Sequence, residues 1–497
     1  MMQDPLILAI DQGSTGTKVI CINSPGEVVA SAYEPIRSIN KQSGWVEHDP
    51  AEIWSSVVNS LEKLSKKVSF ERIIGLGITN QRETTVIWDR ESGEPYHNAI
   101  SWQCRRSRNI CDRFSDDSFK HEVRERTGSP LDAYYSATKI IWLFENVAGL
   151  RKEANDGKAL FGTIDSWLIW NLTGQKAHIT DTTNASRTLL FNINNNAWDD
   201  YLLERFEIPK QMLPEVIPSD GVFGEACNPE FFKERPPIVA CLGDQQSSLF
   251  GQMCFAEGDA KCTLGTCLNL GINTGKAIRK ESSGMTPTIA WNISGELTYK
   301  IEGGVYVAGS LLSWLIDKMS IAKDFEELTE LASSVDSTEG VVFVPAFVGL
   351  AAPYWDMSAR GTLVGLSFIH DKRHVARAAF EAIALQTYDV MRCAEEETSM
   401  KVESLRVGGG LAKNDLALQL LADITQCSVQ RPEYLESTSL GAAYLAGLRK
   451  GFWDSMGELA SQYKVGKSFM PEMGSEEHGE SIQRWLSTIN KSRGWSQ

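Results

Sequence analysis

At 497 residues the chain is longer than one ordinary hydrophobic core, so its length alone points to two or more domains. A formal net charge of −15 argues against nucleic acid or an anionic membrane as the main partner, because both favour a basic face. Hydrophobic content of 42% fits a packed globular protein, and the 10 Cys form no C-x-x-C or Cys/His pattern of metal-ligand spacing. They read as reduced thiols, and with no apolar run long enough to enter a bilayer the expected location is cytoplasmic.

The first elements form a β-meander: Leu6 to Ile10, Val19 to Ile22 and Val28 to Ala32 are apolar or alternating runs, with a turn at Ser24-Pro25-Gly26. Between the first two lies the polar octet Asp11-Gln12-Gly13-Ser14-Thr15-Gly16-Thr17-Lys18. A helix follows, with Asp49 as N-cap, Pro50 at its first position and Ile53, Val57, Leu61 and Leu64 at helical spacing. Ile73 to Ile78 reads as a buried strand that ends in Thr79-Asn80-Gln81-Arg82-Glu83-Thr84, and Thr85 to Trp88 as another strand. Helices are expected at Lys139 to Val147, Ile164 to Leu172 and Trp198 to Phe206. Ile238 to Leu242 is a buried strand that delivers Gly243-Asp244-Gln245-Gln246-Ser247.

The pattern then restarts: Lys261 to Thr263, Leu264-Gly265-Thr266-Cys267 and Leu268 to Ile272 make a second strand, Gly-Thr turn and strand. Gly303-Gly304, a helix from Ser310 to Met319, and Val341 to Pro345 come next. A helix from Val375 to Glu397 has a core-facing series at Ala378, Ala382, Leu385 and Tyr388. Leu405 to Val407 leads into Gly408-Gly409-Gly410-Leu411-Ala412-Lys413-Asn414-Asp415, with a helix behind it. An Ala/Gly-dense helix spans Ser439 to Leu448, and a final docked helix carries Ile482, Trp485, Leu486 and Ile489. A strand-turn-strand unit repeated at half the chain length is either a chance repeat or a sign of two similar halves, residues 1–250 and 251–497. The second reading is adopted: the expected fold class is α/β, two actin-like (ribonuclease H-like) domains related by duplication, with a cleft between them.

Together these loops read as machinery for phosphoryl transfer, which needs a phosphate and magnesium clamp, a dry acceptor pocket and a base. Glycines in the first octet admit an anion to the backbone, Ser14, Thr15, Thr17 and Lys18 add donors, and Asp11 suits a magnesium-bound water. Walker A spacing is absent, and a plain hairpin turn fits the same residues. Asp244 reads as the base or as the N-cap of the helix behind it. Arg82 and Glu83 read as a donor and acceptor for polyol hydroxyls or as a strand-end ion pair. Trp102 with Tyr134 reads as an apolar wall or as core.

The strings GWVEHDP at 44–50, ITNQRET at 78–84, WQCRR at 102–106, TNASRT at 183–188, GDQQ at 243–246, APYWD at 352–356 and LGAAYLAG at 440–447 resemble the FGGY family of carbohydrate kinases, its glycerol-phosphorylating members most of all. The resemblance covers essentially the whole chain. It implies transfer of the ATP γ-phosphate to the 3-hydroxyl of glycerol with Mg2+, and a homodimer or homotetramer. It also implies that Arg82, Glu83, Tyr134, Asp244 and Gln245 bind the polyol, with Trp102 lining the pocket and Asp244 as base. On the nucleotide side it implies Ser14, Thr15, Gly16, Lys18, Thr266, Gly309, Gly410 and Asn414, with Asp11 at the magnesium. The rival readings are an FGGY kinase of another polyol or ketose, such as erythritol or xylulose, and a non-catalytic nucleotide-binding sensor.

The chain departs from the family where Asn269 stands in place of an aromatic residue against the polyol carbons. A polar amide there needs hydrogen-bond partners and leaves room for a longer or differently oriented polyol. Ser14, Lys18 and Ser313 replace residues common in the family and are expected to modify nucleotide affinity. A Gly-Gly-Thr-Arg loop linked in the family to fructose bisphosphate inhibition is absent from Ala226 to Pro237, so that inhibition is not expected.

Overall fold

A computed structural model describes residues 4–228, 231–279 and 284–495; part of the Ala226 to Pro237 segment therefore lies outside the described residues. The expected meander is present as β1 (Leu6–Gln12), β2 (Gly16–Ile22) and β3 (Val28–Pro35). With β4 (Ile73–Asn80), β5 (Gly224–Glu225) and β6 (Pro237–Gly243) it forms a six-stranded sheet in the order β5-β6-β4-β1-β2-β3. The second sheet contains β7 (Ala260–Leu264), β8 (Leu268–Gly275), β9 (Thr286–Ile293), β10 (Glu296–Val305), β11 (Ser404–Gly408), β12 (Ser428–Pro432) and β13 (Val465–Phe469). Its order is β9-β10-β8-β7-β11-β12-β13.

The two sheets share one plan. In the first, β1 has on one side an antiparallel β2 followed by β3 antiparallel to β2, and on the other the parallel β4 and β6 with the antiparallel edge β5. In the second, β7 has on one side an antiparallel β8 followed by β10 antiparallel to β8, and on the other the parallel β11 and β12 with the antiparallel edge β13. Duplication is therefore visible in topology, where the two halves share little more than a Gly-Thr turn in sequence.

Helices cover both sheets. α1 (Pro50–Ser65) starts as expected, with Asp49 accepting from the Ala51 N–H, and it buries Ile53, Val57, Leu61 and Leu64. α2 (Asp244–Gly251), α3 (Gly309–Asp317), α4 (Lys372–Thr398), α5 (Asp415–Thr425), α6 (Ser437–Arg449) and α7 (Ser475–Ser492) complete the set that positions the site. On α4 the expected residues Ala378, Ala382 and Leu385 are buried, and α7 docks through Trp485 and Ile489. Among the described residues no helix is long and apolar enough to cross a membrane.

Some elements differ from expectation: the helices expected from Lys139 and Val375 begin at Ser136 and Lys372. The helix expected from Trp198 begins at Asp200, because Asp199 accepts from the Leu202 N–H and caps it there. The hairpin β9–β10 escaped the periodicity reading, although its turn residues Ser294 (φ 53°) and Gly295 (φ 87°) are a recognisable two-residue signal.

α6 comes from the second half of the chain yet packs on β1, β4 and β6 and crosses α2. One core joins Ile7 and Ala9 of β1, Val239 of β6, Leu249 and Phe250 of α2, and Leu440 and Ala443 of α6. Two glycines permit the crossing: a Cβ on Gly441 would lie 1.8 Å from the Ser247 carbonyl oxygen, and one on Gly251 would lie 1.9 Å from that of Ser437. Gly441→Ala must therefore push the helices apart, at a cost of about 1–3 kcal/mol. A clearly lowered thermal unfolding midpoint by circular dichroism is the expected result, and an unchanged midpoint contradicts the close-crossing account.

Candidate active site

β1, β4 and β6 are parallel and end side by side, with Asn80 paired to both Gln12 and Gly243. Polar residues that follow the carboxyl ends of adjacent parallel strands face a common crevice. A short helix, Thr182–Ala185, clamps these ends: Asp181 caps it, accepting from the N–H groups of Thr183 and Asn184. The Asn184 and Asn80 amides exchange hydrogen bonds of 2.9 and 3.2 Å, and the Thr183 hydroxyl accepts from the Gly243 N–H at 2.8 Å. Asp244 is thus delivered from a fixed point. It is the first residue of α2 and not its N-cap, which is Gly243.

Asp244 is about one-third exposed, with a side-chain value of 33%. Its Oδ1 accepts from the Gln245 N–H at 2.7 Å and lies 3.2 Å from Arg82 Nε. The Arg82 guanidinium, 3% exposed, donates its other face to both oxygens of Glu302 on β10 at 3.0 and 3.1 Å. Arg187 Nη2 lies 3.0 Å from Glu302, and Arg187 Nε donates to Glu83 at 2.7 Å. Lys300 Nζ is 2.8 Å from Glu302 as well. Burial opposes charge on Glu302, but Arg187, Arg82 and Lys300 outweigh it and hold its carboxyl well below the usual range. Glu83 sits at φ 59°, a left-handed backbone for a non-glycine residue, which turns its side chain back toward Arg187.

Trp102 and Tyr134, read as an apolar wall or as core, meet edge to face with centroids 5.6 Å apart. The Trp102 indole N–H donates to the Ser14 hydroxyl at 2.8 Å, which ties this wall to the first hairpin. Lys139, fully buried, donates to the carbonyls of Tyr134 and Tyr135 and so fixes the loop that presents Tyr134.

Gln245 and Asn269 are joined through Lys261, which is 1% exposed. Its Nζ donates to Gln245 Oε1 at 2.6 Å, Thr263 Oγ1 at 2.9 Å and Asn269 Oδ1 at 3.3 Å. The partner that Asn269 requires is therefore a lysine of the adjacent strand.

Residues expected on the nucleotide side fall into two groups. In the first hairpin, Asp11 pairs across the strands with Lys18 and accepts from the Ser439 hydroxyl at 2.7 Å. Lys18 Nζ lies 2.6 Å from Glu436, and Thr15 is exposed. Gly16 is required by packing, since a Cβ there would lie 2.5 Å from the Glu34 carbonyl oxygen. In the second hairpin, the Thr266 carbonyl accepts from Ala308 and Ser310, and the Gly309 N–H donates to Gly265. Gly409, at φ 89°, backs onto Leu264 and leaves Gly410 exposed beside that turn. Ser313 is exposed on α3, one turn beyond Gly309. Asn414 caps α5 by accepting from the Ala417 N–H and donates to Thr329, so its side chain is already engaged.

Sequence reasoning missed Glu302, Lys300, Lys261 and Ser439, and quoted Arg187 only inside TNASRT. A signal existed: Lys261 is a charged residue inside a short, largely apolar strand, and a lysine is almost never fully buried without partners.

The N-terminal domain model of the FGGY family of carbohydrate kinases matches residues 6–251, and the C-terminal domain model matches residues 260–449. The chain belongs to the FGGY family of carbohydrate kinases. It is 45% identical over 493 residues to glycerol kinase 2 of Thermotoga maritima, covering 99% of each chain. Among solved structures it is similar to Plasmodium falciparum glycerol kinase with ADP, at a TM-score of 0.92 and 35% identity over 98% of each chain. Xylulose kinase from Lactobacillus acidophilus shares the fold at a TM-score of 0.86 and 23% identity, over 98% of this chain and 97% of that one.

Removing the charge of Glu302 leaves Arg82, Arg187 and Lys300 buried with Glu83 and Asp244 as the remaining close carboxylates. Glu302→Gln is expected to cost about 3–5 kcal/mol, the usual price of breaking a buried ion network. A urea titration followed by tryptophan fluorescence checks this, and a loss under about 1 kcal/mol would contradict the network's role.

Proposed function

We propose that the chain transfers the γ-phosphoryl group of ATP to the 3-hydroxyl of glycerol, giving sn-glycerol 3-phosphate, with Asp244 as general base. The observation that carries the reading is the Asp244 carboxylate, partly exposed at the end of β6 and oriented by Arg82 and by the Gln245 N–H. The names of the relatives that match nearly the whole chain support glycerol as acceptor, and the ADP of the Plasmodium falciparum structure supports an adenine nucleotide as donor.

Oδ1 is held by two donors at 2.7 and 3.2 Å and Oδ2 by one at 3.4 Å, so Oδ2 is the atom that takes the hydroxyl proton. Glu83 and Arg82 orient the other polyol hydroxyls, Gln245 contributes its amide, and Trp102 with Tyr134 covers the carbon chain against water. The hairpin with Ser14, Thr15, Gly16 and Lys18 faces the phosphates; Lys18 exchanges Glu436 for a phosphate oxygen. Thr266, Gly309, Ser313, Gly410 and Asn414 flank the nucleoside. Asp11 fits a magnesium site: burial, joined by the Asp244 carboxylate and opposed by the Ser439 hydroxyl, pushes its carboxyl up to about 7, a penalty that a divalent cation relieves. Bound there, magnesium supplies charge neutralisation for the β- and γ-phosphates. The lobes, 1–250 and 251–497, close over both substrates.

Asn269 favours a second reading, an acceptor with a further oxygen such as erythritol or a ketose. ADP release with magnesium-ATP over concentration series of glycerol, dihydroxyacetone, erythritol, xylitol and xylulose decides between them. A maximum in kcat/KM for glycerol is expected; a maximum for a longer polyol or a ketose replaces the substrate and leaves the mechanism. Asp244→Asn is expected to lose about 10² to 10⁴ in kcat with KM little changed. Near-normal turnover in that variant overturns the assignment of the base.

A further inference from the structure

One face of the second sheet meets the acceptor site. Lys261 and Thr263 alternate on β7, Asn269 pairs with Thr263 across the hairpin, and Glu302 lies opposite Gly271 on β10. The Lys261 side chain passes over Gly271, where a Cβ would be in van der Waals contact with Lys261 Cε at 3.5 Å. The lysine therefore lies flat against the sheet, and its ammonium reaches three acceptors.

An ammonium only donates hydrogen bonds. With Lys261 charged, every atom that its Nζ touches is an acceptor, which sets the orientation of both amides. Gln245 and Asn269 each turn their carbonyl oxygen to Lys261, at 2.6 and 3.3 Å. The NH2 group of each is consequently directed away from the lysine. Gln245 Nε2 donates one N–H to Asp244 Oδ2 at 3.4 Å and keeps a second beside the proposed base, and Asn269 is half-buried on the same face.

We propose that Lys261 is a positioning residue that holds the amides of Gln245 and Asn269 with their N–H groups toward the acceptor substrate. The second-lobe wall thereby selects an oxygen at that position, a hydroxyl or a carbonyl, where an apolar wall would select carbon. This rests on the reading of the site as a polyol kinase. Burial, helped by the nearby ammonium of Lys300, pushes Lys261 down to about 7, against the opposing pull of Cys262, Glu302 and Asp244.

Two substitutions at Asn269 separate the proposal from a purely structural role. Asn269→Asp keeps an acceptor for Lys261 and replaces the donor by an oxygen; Asn269→Leu removes both. The proposal expects both variants to raise KM for glycerol and for dihydroxyacetone by about tenfold or more, with kcat changed less, since a lost substrate hydrogen bond acts on binding. Lys261→Met frees both amides to rotate and is expected to raise KM in the same way. A KM within twofold of the parent chain in both Asn269 variants, at unchanged unfolding midpoint, overturns the inference even if Lys261→Met proves unstable. Loss in Asn269→Leu alone also overturns it, because acceptance by Lys261 would then be the whole role of Asn269. Absence of ADP release from the parent chain with every polyol overturns the functional reading and this inference with it; turnover by the parent chain with unaffected variants overturns the inference alone.

Discussion

The arrangement depends on Glu302 and the two arginines that share it. Arg82 follows a strand of the first sheet, Arg187 follows the clamp helix, and Glu302 belongs to the second sheet, so one buried carboxylate ties the lobes together. Taking these charges out of water is costly, and the cost is offset only when each charge finds well-placed partners. Arg82 satisfies the condition with Glu302 on one side, Gln246 at 3.1 Å and Asp244 on another. The same guanidinium that holds the lobes therefore aims the proposed base, which makes lobe position and site geometry one property.

This constraint also explains where strain and close approach are tolerated. Glu83 adopts its left-handed backbone because Arg187 holds its carboxylate, while Ser136 and Thr85 donate to its carbonyl. Gly251 and Gly441 let α2 and α6 cross so tightly that the helix carrying Asp244 is fixed against a helix from the far end of the chain. Ser439, on that second helix, reaches Asp11. Residues far apart in sequence thus meet within one crevice.

Much of this was legible from sequence for local reasons. Strand ends that turn abruptly polar, at Asn80 and Gly243, and Gly-Thr turns between apolar runs carry their meaning within a few residues. Asp49 with Pro50 announces α1 in the same way. What was hidden is non-local. Glu302 looks like one polar residue in a strand until Arg82 and Arg187 are placed beside it, and Lys261 is uninformative until β8 brings Asn269 opposite Thr263. Gly16 and Asn414 illustrate the converse: both fit a nucleotide site by pattern, yet each already has a structural reason to be what it is, close packing on β3 and the cap of α5.

The most direct measurement is the position of the polyol in a complex of the chain with glycerol and a non-hydrolysable ATP analogue. The account predicts a terminal hydroxyl oxygen within about 2.6–3.2 Å of Asp244 Oδ2, with Arg82 still bridging Asp244 and Glu302. A hydroxyl directed to solvent or to another carboxylate, or an Arg82 that has left Glu302 for the substrate, would contradict it.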